Sequence, residues 1–237
     1  MSAEWILEFD NVSLEGHWPY DQGLAGLSCK LAPGDLMLIE LGAGGSHTPL
    51  CDLAGGVTVP ELGRVLFRGD DWAALDPDQA AAARARIGRV FAQPRWISNL
   101  DVDENITLSA RHHTPRPERE IEADAADLAR AMGLPDLPRA RPALVRAPEL
   151  RLADWVRALA GERDLILLEY PLQGVYRERW PVLLDQLGRA RSKGAAVLWL
   201  QDEWPAEWQG GVAPTRVAEL KEGRCLLVER NRHGQAV

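Results

Sequence analysis

The residues of this chain that can do chemistry gather at the ends of three apolar runs. Leu36-Met37-Leu38-Ile39-Glu40-Leu41 leads into Gly42-Ala43-Gly44-Gly45-Ser46-His47-Thr48. A strand that ends in such a turn and then starts a helix can aim backbone N–H groups at an anion, with His47 as an added donor. Glycine alone says little, because many strand-to-helix turns use it only for positive φ. A second run, Leu165-Ile166-Leu167-Leu168, ends in Glu169-Tyr170, and a third, Ala195 to Leu200, ends in Gln201-Asp202. A carboxylate such as Glu169 at a strand end can hold a divalent cation, but beside arginines it is more often a member of a structural ion pair. No lysine lies between Lys30 and Lys193, so the turn has the geometry of an anion cradle without the cation. Glu40 opposes an anion further.

The elements that must position these residues are legible in the periodicity. Trp5 to Leu14 alternates as an amphipathic strand, and Leu24 to Leu31 followed by Pro33-Gly34-Asp35 reads as a second strand closed by a turn. Leu36 to Leu41 is a buried strand feeding the glycine turn. Gly63 to Gly69 is another short strand, and Asp76-Pro77 pair as N-cap and first residue of an Ala/Arg helix to Ile87. Pro115-Arg116-Pro117 opens a helix with Glu118, Glu120 and Glu122 near its start, and Gly133 closes it. Leu150 to Ala160 is helical with Leu152, Trp155, Val156 and Leu159 on one face. The runs at 164–169 and 195–200 have the continuous apolar character of parallel strands covered on both faces.

Composition narrows the class. At 237 residues the chain suits one large α/β domain with a mixed sheet and an inserted helical part. A net charge of −8 argues against nucleic acid as partner, because duplex binding depends on neutralising phosphates. Cys29, Cys51 and Cys225 are isolated and lack CxxC spacing, which fits a reducing compartment and no structural zinc. Without a signal peptide or a membrane-length apolar run, the expected location is cytoplasmic.

In order and spacing the chain resembles the nucleotide-binding subunit of ABC transporters over nearly its whole length. The loop at Glu40 to Thr48 matches the family's lysine-bearing GxxxxGK[ST] loop, whose lysine reaches the β/γ phosphates and whose hydroxyl binds Mg²⁺. Aligned on Leu53-Ala54-Gly55, Glu40 takes the first glycine position, Ser46 the lysine and His47 the hydroxyl, with Thr48 one place late. Val90-Phe91-Ala92-Gln93 matches the Q-loop, Pro142 to Ala160 the signature helix, Leu165 to Pro171 the Walker B strand, and Gly194 to Glu203 the strand before the switch histidine. The resemblance implies a P-loop NTPase-like cassette: a core of 1–90 and 153–237 with an N-terminal antiparallel β portion, and an α-helical subdomain at 91–152. The segment from Glu104-Asn105-Ile106-Thr107-Leu108 to His112-His113-Thr114 is similar to its counterpart in the ATPases of Mla/MCE-type lipid transport systems.

Each catalytic position departs from that pattern. Ala92 takes the Q-loop glutamine position, with Gln93 beside it as a partial substitute. The LSGGQ signature, which in the family faces the partner's γ-phosphate, becomes Val145-Arg146-Ala147-Pro148-Glu149, where proline removes an N–H and glutamate repels phosphate. Glu169 stands at the Mg²⁺ aspartate, Tyr170 at the general base, and Asp202, or Gln201 with a one-residue slip, at the switch histidine. No histidine lies between His113 and His233. Losing one preorganised transition-state donor costs about 10² to 10³ in rate, so hydrolysis by the family mechanism is expected to be negligible. No resident cofactor or metal is expected, and Mg·ATP binding is expected to be weak or absent.

The resemblance and its departures together imply a pseudo-ATPase subunit that docks on an ABC permease at the inner membrane's cytoplasmic face and pairs with an active cassette or a second copy. An MCE-type lipid-transfer component is a further partner implied by the Mla resemblance. Rival expectations are an atypical ATPase, with Glu169 on Mg²⁺ and Asp202 or Gln201 guiding water, and a soluble regulatory or adaptor protein that uses the fold without a permease. Trp96, just after the Q-loop, stands where the family docks its membrane subunit, and local packing is an equal reading. With nine tryptophans, Trp204 and Trp208 among them, some are expected at contacts. His112 and His113 point apart on a helix and have no ligand set with them.

Overall fold

The computed structural model of the chain describes residues 5–42, 47–202 and 212–221, and the backbone of 224–228. In chain order its elements are β1 (Leu7–Leu14), β2 (Leu24–Leu31), β3 (Leu36–Glu40), α1 (Leu50–Ala54), β4 (Leu62–Phe67), β5 (Asp70–Asp71), α2 (Pro77–Arg84) and β6 (Ile87–Val90). Then come α3 (Val102–His113), α4 (Glu118–Ala131), α5 (Ala147–Leu159), β7 (Leu165–Glu169), α6 (Trp180–Ser192), β8 (Ala196–Gln201), β9 (Arg216–Lys221) and β10 (Arg224–Val228).

Two sheets result. The smaller is antiparallel, in the order β2-β1-β4-β5, and the larger runs β10-β9-β3-β8-β7-β6 with parallel pairing from β9 to β6. Alternation explains the layering. On the large sheet Leu36, Leu38, Ile166, Leu168, Val197 and Trp199 face one core, with α5 and α6. Met37, Ile39, Leu165, Leu167, Leu198 and Leu200 face the other, against the small sheet and α1. Both faces are covered, so these strands are apolar throughout. In β1 the inward residues Phe9 and Val12 are three apart, which needs a bulge, and Asn11 takes it with φ of 52°.

Two boundaries differ from the sequence expectation. The Ala/Arg helix stops at Arg84 rather than Ile87, because Ile87 pairs with Leu165 as the first residue of β6. The helix expected from Leu150 begins at Ala147, with Pro148 in its first turn where a missing N–H costs nothing. The departed signature is thus the start of α5, and residue 152 lies inside that helix. β6 and α5 touch closely at Gly88, where an added Cβ would meet the Ala158 carbonyl oxygen at 1.9 Å. Gly44, Gly45, Ser46, Trp204, Trp208 and the side chain of Cys225 lie outside the described residues.

Candidate functional site

In a parallel sheet the carboxyl ends of the strands face one side, where ligands usually bind. β3, β7 and β8 end there together, with Glu40 in register with Gln201, and Glu169 in register with Leu200. A cleft of about 290 Å³ opens at this edge, lined by Leu41, His47, Thr48, Ala92, Gln93, Glu169, Tyr170, Gln173, Leu200 and Asp202. Thus His47, Thr48, Ala92, Gln93, Glu169, Tyr170 and Asp202, far apart in sequence, converge. Glu40 sits between Gln201 and Glu219 at the strand ends and is not among the residues lining the cleft. Gln201 is drawn away too, since its Oε1 accepts from the buried indole of Trp199 at 3.1 Å. Of the two candidates for the switch position, Asp202 is the one at the cleft.

Among the described residues, the amides on either side of the glycine turn are already engaged. Gly42, at φ of 75°, donates its N–H to the Asp202 carbonyl at 3.2 Å. His47 donates its N–H to Asp21 Oδ2 at 3.0 Å, and the His47 carbonyl accepts from the Asp21 N–H at 2.9 Å. A carboxylate therefore occupies an amide that the glycine turn alone would leave to phosphate. Helix α1 has only five residues, and Pro49 precedes it without a side-chain cap.

Glu169 carries an internal cation. Its Oε1 accepts from Arg89 Nε at 2.6 Å, and Arg89 Nη1 also reaches Asp52 Oδ1 at 2.6 Å. Asp52 accepts from the Tyr20 hydroxyl at 2.8 Å. Burial opposes the Arg89 charge, but the neighbouring carboxylates of Glu169 and Asp52 hold the guanidinium above its ordinary pKa. Cys51 itself is pushed well up by burial, so its thiol stays neutral. Tyr170 donates its hydroxyl to Asp202 Oδ1 at 3.0 Å, and burial together with this bond raises the phenol pKa. A phenol held protonated cannot act as general base near neutrality.

Tyr170 has φ of 45°, unusual for a bulky residue, and the surroundings impose it. Its N–H donates to the Leu200 carbonyl at 3.0 Å, and its carbonyl accepts from Arg151 Nη2 at 2.7 Å. Arg151, buried on α5, also donates to the Phe91 carbonyl at 2.6 Å and the Gln173 carbonyl at 3.0 Å. Beside it the fully buried Asp154 pairs with Arg151 and Arg157. Burial raises the Asp154 pKa, and the two guanidinium groups act against that shift. Arg157 lies over the Trp96 ring at 4.4 Å and over Phe91 at 5.6 Å. Trp96 is half-buried against the larger core, and its indole N–H has no partner.

Sequence pattern alone did not place Arg89, Asp52, Asp21, Arg151 or Asp154 at the site. A signal existed for two of them: Arg151 and Asp154 interrupt the otherwise apolar face of Leu152, Trp155 and Val156. Among the described residues no group of His, Cys, Asp and Glu is arranged to hold a metal. Glu169 is tied to Arg89, and the described amides of Gly42 and His47 are engaged within the protein.

A strand-end cleft behind a glycine turn, on a mixed sheet joined to an antiparallel β portion, defines the ATP-binding cassette fold of ABC transporters. The solved dimeric structure of the bacterial ABC transporter cassette MJ0796 superposes with a TM-score of 0.79 at 18% identity, covering 92% of this chain and 96% of that one. No family model matches the chain. Its relatives are nonetheless ABC transporter ATP-binding subunits. It is 28% identical over 148 residues to the intermembrane phospholipid transport system ATP-binding protein MlaF of Haemophilus influenzae, spanning 62% of this chain and 56% of that protein. It is 26% identical over 212 residues to the methionine import ATP-binding protein MetN of Caulobacter vibrioides, spanning 87% of this chain and 63% of that protein. The chain thus covers less than two thirds of either relative. Among the described residues no helix is long and apolar enough to cross a membrane.

Proposed function

We propose that this chain is a non-hydrolysing cassette subunit that binds the cytoplasmic face of a membrane transporter and assembles there with a second cassette. The observation that carries the reading is the Arg89–Glu169 ion pair, which gives the metal-position carboxylate a permanent internal cation. Tyr170, bonded to Asp202 in place of a base, supports it. The helical subdomain is taken as 91–152 between core segments 1–90 and 153–237, and Trp96 with the exposed Ile97 beside it is the face offered to a permease. Similarity to MlaF and to the lipoprotein-releasing protein LolD 1 of Rhodopirellula baltica favours lipid traffic over other cargo.

The test is Mg·ATP binding and turnover on the intact complex. The expected result is turnover indistinguishable from a Glu169→Ala variant, with copurification of an integral membrane subunit that Trp96→Ala weakens. Turnover abolished by Glu169→Ala establishes the atypical ATPase instead. A protein that never associates with a membrane subunit establishes the adaptor reading.

A further inference from the structure

A groove of about 1620 Å³ runs beside α6 at the edge of the large sheet opposite the cleft, where Gly34, Asp164 and Lys193 stand just before β3, β7 and β8. Its apolar lining is what the larger core leaves over. Helix α6 turns Leu183 and Leu187 fully inward, while Leu128 of α4, Leu159 of α5 and Trp180 of α6 pack on that core only in part. The Trp180 indole N–H donates to the Val175 carbonyl at 3.2 Å, which holds the ring in place. In the middle of α6 stands Gly188, a poor helix former. Packing does not demand it there, since an added Cβ would make ordinary contact with Val212 Cγ2 at 3.5 Å. The missing side chain leaves the groove open along α6.

The groove is basic in a chain whose net charge is −8. Among the described residues, each carboxylate lining it is already engaged: Glu162 and Asp164 accept from Arg86 at 2.5 and 2.7 Å, and Asp185 accepts from Arg189 at 2.8 Å. Arg163, Arg191 and Lys193 line it without a carboxylate partner among those residues. Arg163 donates instead to the carbonyls of Ala85 at 2.6 Å and Ala158 at 3.1 Å, and burial together with repulsion from Arg86 lowers its pKa to about 10. Arg191 donates to the Gly34 and Ala213 carbonyls, and nearby Asp35 is taken by Arg216. Lys193 is exposed. The unbalanced charge in the groove is therefore positive.

Size and shape decide what class of partner fits. Small-molecule sites enclose about 300–1,000 Å³, and this groove is larger and open. Helix α6 has 13 residues and is about 20 Å long, so the groove beside it matches a helix of similar length. An apolar floor flanked by unpaired cations suits an amphipathic helix with acidic flanks, since apolar anchors supply contact and opposite charges set register and partner choice. We propose that a helical segment of a partner protein, apolar along one stripe and acidic on both sides of it, docks in this groove beside α6 and crosses it at Gly188. Its carboxylates meet Arg191 and Lys193, and its apolar stripe covers Leu128, Leu159 and Trp180. The inference is independent of the non-hydrolysing reading, because the groove and the cleft lie at opposite edges of the sheet.

The experiment is fluorescence anisotropy of a labelled synthetic peptide titrated with the full chain. The peptide is an alanine-based helix with leucine at i, i+3, i+4 and i+7 and glutamate on both flanks, and its control carries lysine in place of glutamate. The expected result is saturable binding of the glutamate peptide that weakens as salt rises, with the lysine peptide at least about tenfold weaker. Lys193→Glu weakens the glutamate peptide and strengthens the lysine peptide, because the charge on the groove is exchanged. Gly188→Gln weakens both by placing a side chain in the groove. Thermal unfolding checks that neither variant is less stable, since Lys193 is exposed and glutamine forms helix better than glycine. Equal binding of the two peptides, binding indifferent to both substitutions, or no binding in low salt overturns the proposal. Phosphatidylglycerol vesicles that bind through Lys193 while the peptide does not would assign the groove to an anionic lipid surface instead. A dimer of the chain that Lys193→Glu disrupts would assign it to a second copy.

Discussion

Arg89 Nε and Glu169 Oε1 lie 2.6 Å apart, joining the last-but-one residue of β6 to the last residue of β7. Both side chains are largely shielded, and Asp52 closes the network from α1. Arg89→Met therefore leaves two shielded carboxylates without a cation, at a cost of roughly 3–5 kcal/mol. Adding Glu169→Gln removes one of the orphaned charges and recovers part of that loss. Urea unfolding of the two single variants and the double variant measures this coupling. Additive losses count against a direct pair.

Arg151 is a second internal tie, here between backbone segments. Its planar fork reaches three carbonyls, those of Phe91, Tyr170 and Gln173, in three directions. Arg151→Lys cannot reproduce that reach, so it falls well short of rescue, and Arg151→Ala costs about 3 kcal/mol. Hydrogen exchange at residues 91–93 and 170–175 should rise in both variants. Unchanged exchange there means the fork is not what fixes these segments.

Returning the lost lysine does not return the site. Ser46→Lys alone should raise affinity for a fluorescent ATP analogue by less than about tenfold. Asp21 still holds the His47 N–H, and Arg89 still holds Glu169. Ser46→Lys with Asp21→Asn should bind more tightly than either change alone, yet without turnover, because Tyr170 and the signature segment are unaltered. Hydrolysis by Ser46→Lys alone would mean that the lysine was the one group the site lacked.

The pH dependence of stability has a clear local source. Asp164 is penalised by burial, but Arg86, through bonds of 2.7 and 2.9 Å, and Arg68 at 2.7 Å lower its pKa below the ordinary carboxylate value. A depressed carboxylate contributes stability that is present above the unfolded-state pKa of about 4 and lost as pH falls through the folded value. Thermal melts should therefore drop on acidification below about pH 4. Asp164→Asn should be less stable at neutral pH and show a flatter acid limb. An acid limb identical to the unaltered chain's assigns the effect elsewhere.

The amino-acid sequence by itself determined the apolar strand runs, the helix between Pro117 and Gly133, the glycine turn and the loss of lysine, because each is local: period, cap or composition. It also aligned Glu169, Tyr170 and Asp202 at strand ends, where parallel pairing then brings them to one cleft. It could not choose between Gln201 and Asp202, which depended on the indole of Trp199 taking the former. Nor could it place Arg89, an arginine in a short strand with no acidic neighbour in sequence. Its partners are 37 and 80 residues away and meet it only when β6, β7 and α1 pack. Arg151 shows the same limit, since its three carbonyl acceptors come from backbone that carries no sequence mark. Pattern fixes which face is apolar. Only packing decides which buried charge finds which partner, because an ion pair or a hydrogen bond depends on distance in space and not along the chain.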